Sequence, residues 1–123
     1  ILQHGVILEK ATLTFNGIGH IIKGAKGADA QQESRVLMLS DQARSDANPI
    51  LLIDENDVTA GHAASIGQVD PEDMYYLMSR GLDQATAERL VVRGFLGSVI
   101  VEIPVKEVRE EMIQTIEDKL LKR

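Results

Sequence analysis

Cysteine is absent from the chain, and so is tryptophan. With no thiol, the chain by itself cannot form a disulfide-stapled secreted domain, a Cys-ligated zinc site or a thiolate nucleophile. Aromatic residues are almost missing: Phe15, Tyr75, Tyr76 and Phe95 are all there are. Any core must be built mainly from aliphatic side chains. Positive charge is also in short supply. Thirteen Lys and Arg stand against 19 Asp and Glu, for a net charge of −6. That sign argues against nucleic-acid binding, which needs cations to displace counterions from phosphates, and against a polybasic membrane anchor. The deficit is spread along the chain: residues 1–69 hold eight acids and five bases, and residues 70–123 hold eleven and eight. No run is apolar for more than a few residues, so neither a signal peptide nor a spanning segment is expected, and a soluble cytoplasmic protein is. The chain starts Ile1-Leu2-Gln3 without Met, as a fragment or a processed chain would.

What is present changes period half-way along. Residues up to Val69 read as short strands. Ala11 to Phe15 alternates and is rich in β-formers, and Asn16-Gly17 follows as a turn signal. Gly5 to Glu9, Gly19 to Lys23, Arg35 to Leu39, Ile50 to Ile53 and Val58 to Ile66 are further strand candidates. Gly24 to Gly27, Ser40 to Pro49 and Asp54 to Asp57 carry turn and loop chemistry. Such strands suit a sandwich, a barrel or a solenoid. Their brevity, the uneven connections and the simple aliphatic positions favour stacked rungs of a parallel β-helix.

From Asp70 the spacing is helical. Asp70-Pro71-Glu72 is a helix start, with a capping acid and Pro at the first helical position. This helix should run to about Arg80 and stop at Gly81. A second start stands at Asp83, with Ala87, Leu90, Val91, Leu96, Val99, Ile100 and Ile103 at helical spacing. Gly94 and Gly97 should weaken or bend it, and Pro104 should break the chain. Val105, Val108, Met112, Ile116 and Leu120 then form one stripe, with Glu107, Glu110 and Glu111 near its start and Lys119, Lys122 and Arg123 near its end, as the helix dipole prefers. The expectation is mainly β structure over 1–69 and a small helical domain over 70–123. Helices this short bury little core alone, so they should cap the β segment or dock a partner.

Candidates for chemistry are few. His4 lies near an end, and His20 sits in an apolar strand where a hydrogen-bonded structural role is expected. His62 lies in a run of small residues, Thr59-Ala60-Gly61-His62-Ala63-Ala64-Ser65. Alternation puts Ala60, His62 and Ala64 on one strand face, and small neighbours let another chain approach closely. From the residues alone, both a core imidazole and a ligand fit. Asp41, Asp46, Asp54, Glu55 and Asp57 lack the order of a calcium loop, and the Gly17-Ile18-Gly19 and Gly24 to Gly27 stretches lack a phosphate-loop spacing. No nucleophile elbow is present.

Three blocks carry a resemblance. Phe15-Asn16-Gly17, Ala28 to Gln32 and Leu39-Ser40-Asp41-Gln42-Ala43-Arg44-Ser45-Asp46-Ala47-Asn48-Pro49 form the first. Asp57-Val58-Thr59-Ala60-Gly61-His62-Ala63-Ala64-Ser65-Ile66-Gly67 is the second, and Tyr76-Leu77-Met78-Ser79-Arg80-Gly81-Leu82 the third. In this order they resemble the SufB/SufD family of iron–sulfur cluster assembly scaffolds. The resemblance covers about Thr14 to Phe95. A Cys after the β-helix and a Glu-His-Glu block mark the SufB branch. Tyr76-Leu77-Met78 and Gly61-His62-Ala63 stand here instead, which is similar to the SufD branch.

The resemblance implies a right-handed parallel β-helix followed by a helical domain, in a protein several times longer. It implies a non-enzymatic scaffold that pairs with a SufB-like paralogue through the β-helix. It implies docking of a SufC-like ABC-type ATPase through 70–123, for which Val105, Val108, Met112, Ile116 and Leu120 are the candidate contacts. It makes His62 the candidate cluster-assembly and iron-ligating residue at the SufB interface. No tightly bound cofactor is expected in this chain, only a transient iron–sulfur cluster in the assembled complex. A homodimer in isolation is a further partner expectation. The alternatives are a SufB-type or homodimeric relative and, behind it, an unrelated β-helix enzyme, for which no paired base and charge-stabilising group is visible.

Overall fold

The structure, a computed structural model, describes residues 1–121. Lys122 and Arg123, expected at the last helix end, lie outside the described residues. The chain divides into two compact units, Ile1–Gln68 and Val69 onward.

The first unit holds five strands: β1 (Leu2–Ile7), β2 (Thr12–Ile21), β3 (Asp29–Met38), β4 (Arg44–Ile53) and β5 (Thr59–Gln68). They form two sheets, ordered β1-β3-β5 and β2-β4. Every pairing is parallel, with Leu2 opposite Glu33, Asp29 opposite Thr59 and Thr12 opposite Arg44. Each strand thus pairs with the next but one. The chain lays a strand in one sheet, crosses to the other, and returns alongside its earlier strand, a parallel arrangement like that of a β-helix.

The strands are fewer and longer than the sequence suggests. Asn16-Gly17 is not a turn. Both residues lie inside β2, which joins the two strands expected on either side of them. Turn propensity loses here to register. Asn16 stands opposite Asn48, whose Nδ2 donates to Asn16 Oδ1 at 3.0 Å, and this side-chain ladder favours the extended pairing. Likewise Arg44 to Pro49, expected as loop, belongs to β4. Among the described strands β4 has β2 as its single partner, and an edge strand is where a sheet tolerates Pro49.

The interior between the sheets is narrow and only partly apolar. Ile7, Ile21 and Val36 are buried, and so are Gln32 and Ser34. Gly5 allows close packing: a Cβ there would fall 2.4 Å from Leu13 Cδ2 and 3.2 Å from Phe15 Cζ. The connections are tied to each other. Glu55, 5% exposed, accepts from the Gly24 N–H and the Asn56 N–H at 2.9 Å each. These donors, Gly24 first, hold its carboxyl below the ordinary glutamate value. Gly27 N–H also donates to Asp57 O at 2.6 Å. The β2–β3 connection is thereby fastened to the β4–β5 connection.

The second unit is α1 (Pro71–Ser79), α2 (Gln84–Ile100) and α3 (Lys106–Leu121). Asp70 Oδ1 accepts from Glu72 N–H at 2.8 Å, and Asp83 Oδ1 accepts from Thr86 N–H at 2.7 Å, capping two of the three helices. Gly81, at φ 92°, takes the left-handed conformation that ends α1. Gly94 and Gly97 do not interrupt α2, while the segment holding Pro104 separates α2 from α3. Among the described residues of this unit Ala87, Val92 and Ile100 are the buried apolar ones. Arg89 from α2 donates through Nε and Nη2 to Glu117 Oε2 on α3, and Arg93 Nε lies 3.3 Å from Glu117 Oε1.

Candidate functional site

Strand β5 stands at one end of the β1-β3-β5 sheet. Along it Thr59 and every residue from His62 to Gln68 are exposed. An edge strand presents unpaired backbone N–H and C=O groups and is a ready template for another strand. Ala60, Gly61, Ala63, Ala64 and Gly67 keep its side chains short, so the backbone itself is approachable.

His62 lies in the middle of this strand, opposite Gln32 in the neighbouring β3. In-register partners share a face, so the imidazole lies on the same face as the buried Gln32, with Ala60 and Ala64 beside it. Unlike Gln32, it is exposed. A tightly packed core imidazole, the structural alternative open at the level of sequence, does not describe it.

The other two imidazoles are engaged. His20 Nε2 is 2.7 Å from Asp54 Oδ2, the hydrogen-bonded strand histidine expected. His4, with its side chain 4% exposed, has Nε2 3.3 Å from Glu33 Oε1. His62 makes no hydrogen bond or ion pair among the described residues. A free, exposed neutral imidazole can accept a proton or ligate a metal through one nitrogen lone pair. It cannot hold a metal alone. Among the described residues no group of three His, Cys, Asp or Glu side chains converges, so any further ligands would come from outside them.

The stripe on the last helix is only partly a surface. Val105 precedes α3, at 48% exposure, and Val108 and Met112 are exposed as well. Ile116 and Leu120 are half-buried. Val108, Met112 and Ile116 border a shallow hollow with Glu111 and Thr115. Ile116 also faces a second hollow of about 150 Å³ between α2 and α3, lined by Leu96, Gly97, Ile100 and Ile113. The stripe missed Ile113 and the α2 side of that hollow. A single-helix periodicity cannot reveal a groove that two helices make together. Among the described residues no helix is long and apolar enough to cross a membrane.

Residues 1–95 match the family described as SUF system FeS cluster assembly, SufBD core domain. The chain belongs to the SufB/SufD family. It is 60% identical over 120 residues to the iron–sulfur cluster assembly protein SufD of Bacillus subtilis, an alignment covering 98% of this chain and 28% of that relative. It is 46% identical over 97 residues to a SufBD family protein of Mycobacterium tuberculosis, covering 78% of this chain and 24% of the relative. A Mycobacterium leprae member is 42% identical over 97 residues, covering 78% and 25%. The chain therefore spans about a quarter of the length of these relatives. Within the SufB/SufD family it is SufD-like, and the family match takes in the whole β unit, α1 and most of α2.

Proposed function

We propose that this SufD-like chain is part of a non-catalytic scaffold for iron–sulfur cluster assembly, working in the cytoplasm. In this reading its five strands are laid two to a turn along a right-handed parallel β-helix. The open edge at β5 receives a SufB-like paralogue, and the helical unit docks a SufC-like ATPase through the face bearing Val105, Val108, Met112, Ile116 and Leu120. The cluster is cargo, held only in the assembled complex. His62 supplies one neutral imidazole as ligand or proton acceptor. The remaining ligands come from the partner as thiolates, this chain having no cysteine.

The observation that carries this reading is a free, exposed imidazole at the centre of an exposed small-residue edge strand. Such a strand can accept a second backbone, and the imidazole is left with no competing partner among the described residues. The test is co-expression of the full-length protein with its SufB-like and SufC-like partners. His62→Ala should leave both partners co-purifying and lower the yield of assembled cluster. Unchanged cluster yield would remove His62 from the site. Placing charges on the apolar face, as Val108→Glu together with Met112→Lys, should release the ATPase and spare the paralogue. If every such variant keeps the ATPase, the docking face lies elsewhere. Isolation of the full-length protein as a stable pair of identical copies, indifferent to the SufB-like partner, would favour a homodimeric relative.

A further inference from the structure

Strand β5 has little of its own to fix where it sits against β3. Register is set by side chains that lock into a covered face, and strands of small or Gly-rich composition slip easily. From Ala60 to Gly67 the residues are Ala, Gly, His, Ala, Ala, Ser, Ile and Gly. Only Ile66, opposite the buried Val36, is large and apolar. This poverty of interlocking side chains holds whatever covers the strand. Because side chains alternate, a slip of two residues leaves each of them on its own face. Taken toward a longer β4–β5 connection, such a slip puts Ala63 opposite Gln31 in place of Gly61, and His62 opposite Ala30 in place of Gln32. The imidazole then moves about 6.6 Å along the edge.

The connection supplies what the strand lacks. Residues 54–58 lead from β4 into β5, and the carboxylate of Glu55 among them reaches two connections at once. Oε1 accepts from Asn56 N–H in its own connection, and Oε2 accepts from Gly24 N–H in the β2–β3 connection, each at 2.9 Å. Lys23 Nζ stands 4.0 Å from Oε1 and is 75% exposed, so it adds little. Both bonds from the carboxylate are charge-assisted, the stronger kind. Both end on backbone, so they fix the course of the chain. The ladder between β3 and β5 starts directly after this clamp: Gly27 N–H donates to Asp57 O at 2.6 Å, and Thr59 N–H donates to Ala28 O at 2.9 Å. A longer connection, with Thr59 and Ala60 drawn into it, gives up the Thr59 bond.

We propose that Glu55 is the positioning residue that sets the register of β5 and, through it, the place of His62 on the edge; the second half rests on the reading of His62 given above. The test uses the full-length protein, with pairs of introduced cysteines followed by peptide mapping. Gln31→Cys with Gly61→Cys joins register partners, which in a sheet stand about 4.8 Å apart, within disulfide reach. Gln31→Cys with Ala63→Cys joins positions about 8 Å apart, beyond that reach. With Glu55 in place the first pair should close at least about tenfold faster than the second. Glu55→Asp keeps the charge beside Asn56 N–H but is one methylene too short for Gly24. It should bring the two rates within about threefold by speeding the slipped pair. A slipped pair that stays slow in Glu55→Asp overturns the proposal. Glu55→Gln, which sets an amide NH₂ against one of the two N–H donors, is read in the same way where the aspartate variant fails to fold. In the co-expressed complex Glu55→Asp should lower cluster yield, with no added loss in the His62→Ala background. An unchanged yield for Glu55→Asp where His62→Ala lowers it, or an added loss on top of His62→Ala, overturns the positioning of His62. An unchanged yield for His62→Ala itself removes the reading of His62, and the cross-linking rates then still decide whether Glu55 sets the register.

Discussion

Glu117 holds the pairing of α2 with α3, and the size of its contribution follows from how its two arginines sit. Its side chain is 13% exposed, against 37% for Arg89 and 57% for Arg93. Arg89 donates to Oε2 through two nitrogens. Arg93 stands 3.3 Å from Oε1 without a hydrogen bond to that atom. The Arg89 interaction is charge-assisted and partly shielded, which places it at about 1.5–3 kcal/mol. The Arg93 contact is more exposed and falls with surface pairs, at about 0–1 kcal/mol. Glu117→Ala should therefore lose about 2–3 kcal/mol and Arg93→Ala less than about 1 kcal/mol. Urea unfolding followed by helical circular dichroism, with a double-mutant cycle on Arg89 and Glu117, measures both. Equal losses for Arg89→Ala and Arg93→Ala, or a coupling below about 0.5 kcal/mol for the Arg89–Glu117 pair, would refute the assignment. The hollow lined by Leu96, Ile100, Ile113 and Ile116 lies between the same two helices, so a loosened pairing should also weaken any partner that this hollow receives.

Three further outcomes are expected. Glu55, held below the ordinary glutamate value by the Gly24 and Asn56 N–H groups, contributes stability that is present above the unfolded-state value and lost as pH falls through the lower folded one; Glu55→Gln should therefore be less stable than wild type at pH 7 and converge with it in acid-unfolding curves taken below that value. Glu9 sits at φ 52°, a left-handed turn between β1 and β2, so Glu9→Gly should raise stability by up to about 1 kcal/mol in urea unfolding, relief of strain exceeding the added chain entropy. Asp70→Ala removes the cap on α1 and should cost about 0.5–2 kcal/mol, read as lost helicity and faster amide exchange at Glu72.

The helical half was legible because its signals are local. Asp70-Pro71, Gly81 and Asp83 each act within one helical turn, and each stands where its capping role requires. Gly94 and Gly97 misled in degree only, since a glycine costs a helix about 1 kcal/mol and the buried Val92 and Ile100 on the same helix outweigh that. The β half was less legible, because its decisive contacts are a full circuit of chain apart. Asn16 reads as a turn until Asn48 is placed opposite it, and Pro49 reads as a breaker until β4 is known to be an edge. Register between distant strands leaves no mark at the spacing of neighbouring residues.

The same distinction governs the candidate site. The sequence marks out His62 by its small neighbours, and alternation alone groups it with Ala60 and Ala64, as the register does. Its exposure could not be read that way, because whether a strand face is covered depends on which strands lie opposite it. Gln32 illustrates the converse. As one glutamine of a polar pair, Gln31-Gln32, it reads as surface, yet the fold buries it in the space above Gly17. His62 and Gln32 are register partners on one face, the first open and the second enclosed. That single pair marks where the interior of the β unit meets its exposed edge. A strand laid along β5 would stand to His62 as β5 stands to Gln32, and would close over the face on which the imidazole now lies open.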